Sequence, residues 1–372
     1  MKKETLTTQN GLTVDAMTPV IVSASRSTDI PAYYAKWFME RIRKGYSVWI
    51  NPFNQKPSYV SFSKTRVIVF WTKNPQPLIP YLKELDDRGF NYYFQFTLND
   101  YGKEIEGRVP DLGRRIETFA KLQEHVGSKR IIWRYDPIML NDTNLTVETH
   151  LEKIAKLGNL LSGMTNKMVF SFIDIKDYRK VQNNLVRLNL YTPSNVLSAE
   201  PNQEQRQAIA KGISDLKASW RRNLNWDVSI ATCAEDIDLQ SYGIEHNRCI
   251  DPDLIDELFS QKDPELRAYL AGFRNNLGMG IKKSCQSGQQ LDLFSLSASE
   301  SSPQNDSFNY EKFKDKGQRT ACGCIISKDI GMYNTCLHQC AYCYANTSYE
   351  AAVNNHRAHK DEDEGIIPFK GI

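Results

Sequence analysis

Six short runs of β-branched and aromatic residues recur through the first part of the chain: Val20-Ile21-Val22-Ser23, Val67-Ile68-Val69-Phe70-Trp71, Tyr92-Tyr93-Phe94-Gln95-Phe96, Ile131-Ile132-Trp133-Arg134, Met168-Val169-Phe170-Ser171-Phe172 and Val228-Ser229-Ile230-Ala231-Thr232. Apolar residues stand side by side in each run, the pattern of a strand covered on both faces. Helix-like stretches at 33–44, 77–88, 113–125, 147–161 and 203–223 separate most of them. Strands alternating with helices connect as right-handed βαβ units, so the pattern implies a parallel sheet in an α/β fold. Six strands of this spacing suit a (β/α) TIM-like barrel, full or partial. The competing doubly wound sheet would carry a G-x-G-x-x-G turn after its first strand, and no such turn follows Ser23.

With 372 residues and 41% hydrophobic content, the chain can bury a large core. No apolar run reaches the roughly 20 residues of a membrane helix, and Met1-Lys2-Lys3-Glu4-Thr5 leads into polar residues rather than a signal-peptide core. The expectation is a cytoplasmic protein with no membrane partner. A net charge of +3 from 47 basic and 44 acidic residues is too balanced for the footprint of an obligate nucleic-acid binder.

Residues 1–18 read as a polar, poorly ordered lead and 19–233 as the barrel body, within which 47–63 is an inserted hairpin or long loop. Residues 234–283 read as a helical segment, with one or two helices over 251–276 starting at Asp251-Pro252. A Ser/Gln-rich stretch, 284–308, has the composition of a flexible linker. A cysteine-rich module, 309–372, ends in Asp361-Glu362-Asp363-Glu364, most simply a solvated run.

All eight cysteines fall after residue 232: Cys233, Cys249, Cys285, Cys322, Cys324, Cys336, Cys340 and Cys343. In a chain without an export signal such a group points to metal ligands or reduced thiols, not disulfides. Cys336, Cys340 and Cys343 are spaced C-x3-C-x2-C. Three thiolates from one loop fill three corners of a [4Fe–4S] cube and leave one iron open. Zinc, with His338 as a possible ligand, is the alternative; structural zinc sites more often use two separated C-x2–4-C pairs. Cys233, Cys249, Cys322 and Cys324 are enough for a second cluster or a zinc site, against the plainer reading of two buried free cysteines and a C-x-C turn.

The loop Cys336-x3-Cys340-x-Tyr342-Cys343 resembles the cluster motif of the radical S-adenosylmethionine enzymes, and Cys340-Ala341-Tyr342-Cys343-Tyr344-Ala345 resembles the spore photoproduct lyase branch in particular. The resemblance implies S-adenosylmethionine chelated at the open iron, its reductive cleavage to a 5′-deoxyadenosyl radical, and an electron donor such as a ferredoxin or flavodoxin. By analogy alone it leans toward a nucleic-acid substrate. In that superfamily the loop follows the first barrel strand, whereas here it begins at residue 336. A circular permutation, with 325–333 as the first strand, would account for the displacement.

Functional groups of parallel barrels gather at the C-terminal ends of the strands. Those ends carry Arg26, Asp29, Lys73, Asn74, Arg134 and Asp136, which with Tyr342 are the candidates for cofactor binding. Arg26 and Arg134 suit a carboxylate or phosphate, although Arg134 and Asp136 could simply pair with each other. Val22-Ser23-Ala24-Ser25-Arg26-Ser27-Thr28-Asp29-Ile30-Pro31, Phe70-Trp71-Thr72-Lys73-Asn74-Pro75, Trp133-Arg134-Tyr135-Asp136-Pro137-Ile138, Cys233-Ala234-Glu235 and Lys316-Gly317-Gln318-Arg319 make the whole chain similar to a bacterial family catalogued as a domain of unknown function. Two functions compete: a radical enzyme of unknown substrate, and a non-catalytic iron–sulfur or zinc protein acting as a nucleic-acid or partner-binding module.

Overall fold

The computed structural model describes residues 1–52, 54–176, 178–233, 235–276, 315 and 322–368. The linker expected at 284–308, Cys285, Ala234 and Lys316-Gly317-Gln318-Arg319 lie outside the described residues.

In chain order the elements are β1 (Lys3–Thr7), β2 (Thr13–Met17), β3 (Ile21–Ala24), α1 (Ile30–Tyr33), α2 (Ala35–Lys44), β4 (Tyr46–Ile50), β5 (Pro57–Ser61), β6 (Val67–Thr72), α3 (Leu82–Asp87), β7 (Asn91–Thr97), α4 (Leu112–Val126), β8 (Ile131–Ile138), α5 (Val147–Leu161), β9 (Lys167–Phe172), α6 (Arg179–Arg187), α7 (Gln203–Leu224), β10 (Ser229–Cys233), β11 (Glu245–Asn247), α8 (Pro252–Phe259), α9 (Pro264–Asn276), β12 (Lys328–Asp329) and α10 (Tyr349–Ala358). Asp251 caps α8 by accepting from Asp253 N at 3.0 Å, as the Asp-Pro start implies.

Eight strands form one sheet in the order β11-β10-β9-β8-β7-β6-β3-β12, and every neighbouring pair is parallel. The fold is therefore α/β, as expected. The sheet is open: among the described residues β11 and β12 are its two edges, so a closed barrel is not what forms. From β3 to β11 the spatial order follows the chain without reversal. With right-handed crossovers such an order places the connecting helices on one face, whereas a doubly wound sheet needs a reversal point.

Side-chain alternation shows the two faces. Val22, Ile68, Phe70, Phe94, Phe96, Trp133, Tyr135, Phe170 and Ile230 share one core with residues of α2, α3, α4, α5 and α7. Ile21, Val67, Val69, Tyr93, Ile132, Val169 and Ala231 share a second core with Ile255 and Phe259 of α8 and Leu266 and Leu270 of α9. Continuous apolar runs thus did mean strands covered on both faces. On the second face several strands turn polar toward their C-terminal ends: Ile21 then Ser23, Tyr93 then Gln95, Ile132 then Arg134 and Asp136, Ala231 then Cys233.

Four expectations need correction. Residues 1–18 are not an unstructured lead: β1 and β2 pair antiparallel and join β4 and β5 in a second sheet, turning at Asn10-Gly11 with Gly11 at φ +78°. The body does not end at 233, because β11 extends the parallel sheet into the segment read as helical. The strand expected at 325–333 is only two residues long, and it pairs parallel to β3. The acidic run is not a free solvated tail: Trp37 Nε1 donates to Asp363 O at 2.9 Å, Val48 N to Glu364 O at 2.7 Å, and Tyr46 hydroxyl to Glu364. The hairpin expected within 47–63 is present as β4 and β5, paired from Tyr46↔Ser61 to Ile50↔Pro57.

Candidate functional site

β12 delivers the chain to the C-terminal end of β3, where the first cysteine loop begins. Gly331 is required there, since a Cβ would fall 1.8 Å from Ser25 Oγ. Thr28 and Thr335 hydroxyls lie 2.6 Å apart, and each also donates to Met332 O, at 2.8 and 2.6 Å. Tyr34 donates to Thr335 O at 2.8 Å. His338 is clamped between Asp29 Oδ2 at 2.7 Å and Tyr33 hydroxyl at 2.9 Å. Both of its ring nitrogens are occupied, which argues against His338 as a metal ligand.

Backbone pairing carries the loop across to the segment after β7. Ala341 N donates to Ile105 O at 2.8 Å, Arg108 N to His338 O at 2.9 Å, and Cys340 bridges Glu106 antiparallel. Cys343 N closes a turn onto Cys340 O at 3.1 Å, and Asn346 Nδ2 holds Cys336 O at 2.6 Å. Burial, Cys343 and Asp29 push the Cys336 thiol up to about 12, and burial pushes Cys340 well above the usual thiol range. A metal entering this loop must therefore displace thiol protons.

Beneath the loop lies a buried polar cluster. Lys73 Nζ donates to Glu106 Oε1 and to Tyr342 hydroxyl, both at 2.8 Å. Tyr342 in turn donates to Glu106, and Asn99 Nδ2 reaches Glu106 Oε1 at 3.2 Å and Asp136 O at 2.9 Å. Arg115 Nη1 stands 3.7 Å from Glu106 Oε2, an oxygen that accepts no hydrogen bond. Burial opposes charge on Lys73, but Glu106 and Cys340 outweigh it and raise the ammonium above its ordinary pKa. Burial likewise opposes charge on Glu106, yet Lys73 and Arg115 hold its carboxyl below the usual range. Asp29 Oδ2 also accepts from Lys73 N at 2.7 Å, so one carboxylate fixes both the end of β6 and the cysteine loop. Asn74 enters through its backbone N–H, donated to Thr72 Oγ1 at 2.9 Å.

The second cysteine group converges from three places. Cys233 ends β10, Cys249 follows β11, and Cys322 and Cys324 precede β12. Cys233 Sγ and Cys249 Sγ are 3.2 Å apart, and Ile250 N donates to Cys324 Sγ at 3.4 Å. Arg134 Nη1 lies 3.1 Å from Cys249 Sγ and 3.3 Å from Gln95 Oε1, while Arg134 Nε donates to Asp136 Oδ2 at 3.0 Å. The internal Arg134–Asp136 pair thus exists, and the same guanidinium also reaches a thiol. Burial opposes charge on Arg26, but Cys324, Asp329, Asp315 and Cys249 outweigh it and hold its pKa above the ordinary value. Its Nη1 pairs with Asp315 at 3.2 Å and its guanidinium covers the Trp71 ring at 5.0 Å. Tyr344 hydroxyl, next to Cys343 in sequence, donates to Arg26 O at 2.7 Å.

Sequence reasoning missed Glu106, Asn99, Arg115 and Tyr33. Glu106 sits in the 98–111 loop after β7, at the strand end where function was expected, but nothing in Gly102-Lys103-Glu104-Ile105-Glu106-Gly107 distinguishes it from a solvated loop. No group of three or more His, Cys, Asp or Glu side chains among the described residues is spaced to hold one metal ion. Among the described residues, no helix is long and apolar enough to cross a membrane. The sequence matches the family described as Domain of unknown function (DUF1848) over residues 21–345. No curated protein matches the chain.

Proposed function

The chain belongs to the DUF1848 family, and we propose that it is an iron–sulfur enzyme of the radical S-adenosylmethionine type, built on a circularly permuted partial barrel. One observation carries the proposal. The strand that precedes the C-x3-C-x2-C loop is last in the sequence yet lies beside β3 at the edge of the sheet, so the loop emerges at the C-terminal ends of β3, β6 and β7. Catalytic groups of parallel α/β enzymes occupy that end.

The donor set fits the cofactors. Cys336, Cys340 and Cys343 would hold a [4Fe–4S] cluster with one open iron. Glu106 Oε2, buried and accepting no hydrogen bond, offers an acceptor for the ammonium of S-adenosylmethionine. When bound, the cluster and S-adenosylmethionine supply one-electron cleavage of the sulfonium to a 5′-deoxyadenosyl radical, with the electron drawn from a ferredoxin or flavodoxin. The protein's own residues do the remaining work. Asp29 fixes His338 and hence the loop; Lys73 and Arg115 keep Glu106 ionised; Tyr342, half-buried and bonded to both Lys73 and Glu106, would shield that pair from water.

Anaerobic purification, iron and sulfide analysis, and incubation with dithionite and S-adenosylmethionine test the reading. The expected result is about four irons per open-cornered cluster and formation of 5′-deoxyadenosine, lost in Cys340→Ala. A folded protein that takes up iron and sulfide at this loop but yields no 5′-deoxyadenosine would instead be a non-catalytic cluster protein.

A further inference from the structure

We propose that Cys233, Cys249, Cys322 and Cys324 form a second, four-thiolate metal centre that joins the two open edges of the parallel sheet. Its ligand is a thiophilic metal, either a fully ligated iron–sulfur cluster or a single zinc ion, and it does not depend on the first site being catalytic.

The four cysteines neighbour one another although they come from chain positions far apart, and no three of them are spaced to hold one ion as the side chains stand. Besides the 3.2 Å approach of Cys233 and Cys249, Cys249 and Cys322 are the neighbours that act most strongly on the Cys324 thiol. All four are free thiols, with no disulfide among them. A buried free cysteine behaves as a small hydrophobe and asks for apolar neighbours. Here apolar neighbours such as Ile250 and Ile325 are joined by hydrogen-bond donors. Arg134 Nη1 at 3.1 Å, Asn247 Nδ2 at 3.4 Å and Ile250 N at 3.4 Å all point N–H groups at sulfur. Arg26 Nη2 is buried with no hydrogen-bond partner, and Cys324 and Cys249 are among the groups whose charge acts on this guanidinium. Guanidinium N–H groups interact weakly with neutral thiols and strongly with thiolates. Donors directed at the sulfurs of metal thiolates are also the usual means of setting a centre's potential and ligand basicity.

The position gives the centre a role. Cys249 lies two residues after β11, one edge strand, and Cys324 four residues before β12, the other. Between them Ile325 N donates to Ile250 O at 3.2 Å, a single backbone link across the opening. A metal bound by Cys233, Cys249, Cys322 and Cys324 spans that opening and fixes β12, the strand that presents the first cysteine loop. Loading exchanges the thiol protons for the metal, so its binding free energy becomes folding free energy of the C-terminal segment.

The test uses the full-length chain carrying Cys336→Ala, Cys340→Ala and Cys343→Ala, so that the first loop cannot contribute. After anaerobic purification, zinc, iron and sulfide are counted per chain. About one zinc, or several irons with matching sulfide, retained on the folded protein supports the proposal and identifies the metal. Alkylation followed by mass spectrometry supplies a readout without further mutation: the four thiols should be protected, and all four should react after a chelator strips zinc or an oxidant destroys a cluster. Adding Cys249→Ser should abolish retention. A folded protein with no stoichiometric metal, or one whose metal survives while the four thiols alkylate freely, overturns the proposal.

Discussion

Replacing Glu106 by alanine should be among the most damaging single changes near the cysteine loop. The carboxylate is 2% exposed and faces two cations, Lys73 Nζ at 2.8 Å and Arg115 Nη1 at 3.7 Å, whose side chains are 13% and 3% exposed. Removing one partner of a buried ion pair leaves the other charge uncompensated and costs about 3–5 kcal/mol. Against a domain stability of roughly 5–15 kcal/mol that is about a fifth or more of the total. Glu106→Gln keeps an oxygen for Tyr342, Asn99 and Lys73 but loses the charge, and should cost about 1.5–3 kcal/mol, the worth of a hydrogen bond to a charged group. Lys73→Met alone strands the carboxylate beside Arg115. Combined with Glu106→Ala it removes both ends of the 2.8 Å contact, so the double variant should be less damaged than the sum of the singles by about 0.5–3 kcal/mol. Urea unfolding followed by tryptophan fluorescence measures each variant. A Glu106→Ala cost below about 1 kcal/mol, or strictly additive costs, would refute the reasoning.

His338→Gln should leave metal content unchanged and lower the thermal midpoint, because the ring positions the loop through Asp29 and Tyr33; metal loss from a folded His338→Gln protein would return histidine to the ligand set. His150 is fully buried, its Nε2 donating to Met139 O at 2.9 Å and its Nδ1 accepting from Tyr135 hydroxyl at 2.8 Å, and burial lowers its pKa from 6.5 to about 4. The unfolded chain therefore binds the proton first as pH falls, so this contribution is present above pH 6.5 and is lost on acidification toward pH 4, by about 3 kcal/mol in all. In urea midpoints measured between pH 4 and 7, His150→Leu should show a shallower slope than the wild type, and an equal slope would exclude His150 as its source. Gly158→Ala gains about 1 kcal/mol of helix propensity. It nevertheless places a Cβ 2.0 Å from Trp220 Cζ2, a ring fixed by Asn159 Oδ1 at 3.1 Å, so net destabilisation of about 1–3 kcal/mol is expected, partly relieved by Trp220→Leu. Unchanged calorimetric stability in Gly158→Ala would mean that α5 and α7 are free to separate.

The parallel strands were readable because burial on both faces leaves continuous apolar runs, and β6, β7 and β9 fall within a residue of the runs that announced them. Helices α5 and α7 were readable from their apolar periodicity, and each begins with a capping box, at Thr146 and Asn202. What escaped was polar or short. In β1, exposed and half-buried residues alternate with no apolar run to mark them, so only the Asn10-Gly11 turn signal was there to find. β11 is three residues, Glu245–Asn247, recognisable as a strand only from its partner β10. The acidic run at 361–364 was misread because a block of like charge ordinarily faces water; here much of its attachment is through backbone carbonyls, to which side-chain charge is irrelevant. The cysteines marked the site by spacing, but Glu106 could not be found, because one acid in a loop acquires meaning only from the cations that surround it.

The placement of the cysteine loop follows from a difference between local and long-range costs. Closing a chain of about 300 residues costs little more than closing one of 100, because loop entropy grows only with the logarithm of length. A strand can therefore sit first in the sheet and last in the sequence without a large penalty, provided that contacts made on arrival outweigh the closure. Here β12 contributes only two paired residues. The contacts that hold the loop come instead from Asp29, Tyr33, Tyr34 and Thr28 beyond β3 and from Ile105 and Arg108 beyond β7, all about 230 to 310 positions earlier. Local turns such as Cys343 N to Cys340 O shape the loop, but its placement against the sheet is long-range, so Cys336, Cys340 and Cys343 can reach their final setting only after the upstream sheet has formed. A site assembled in that order offers its thiols to a metal late, when the carboxylates and lysine that surround them are already in place.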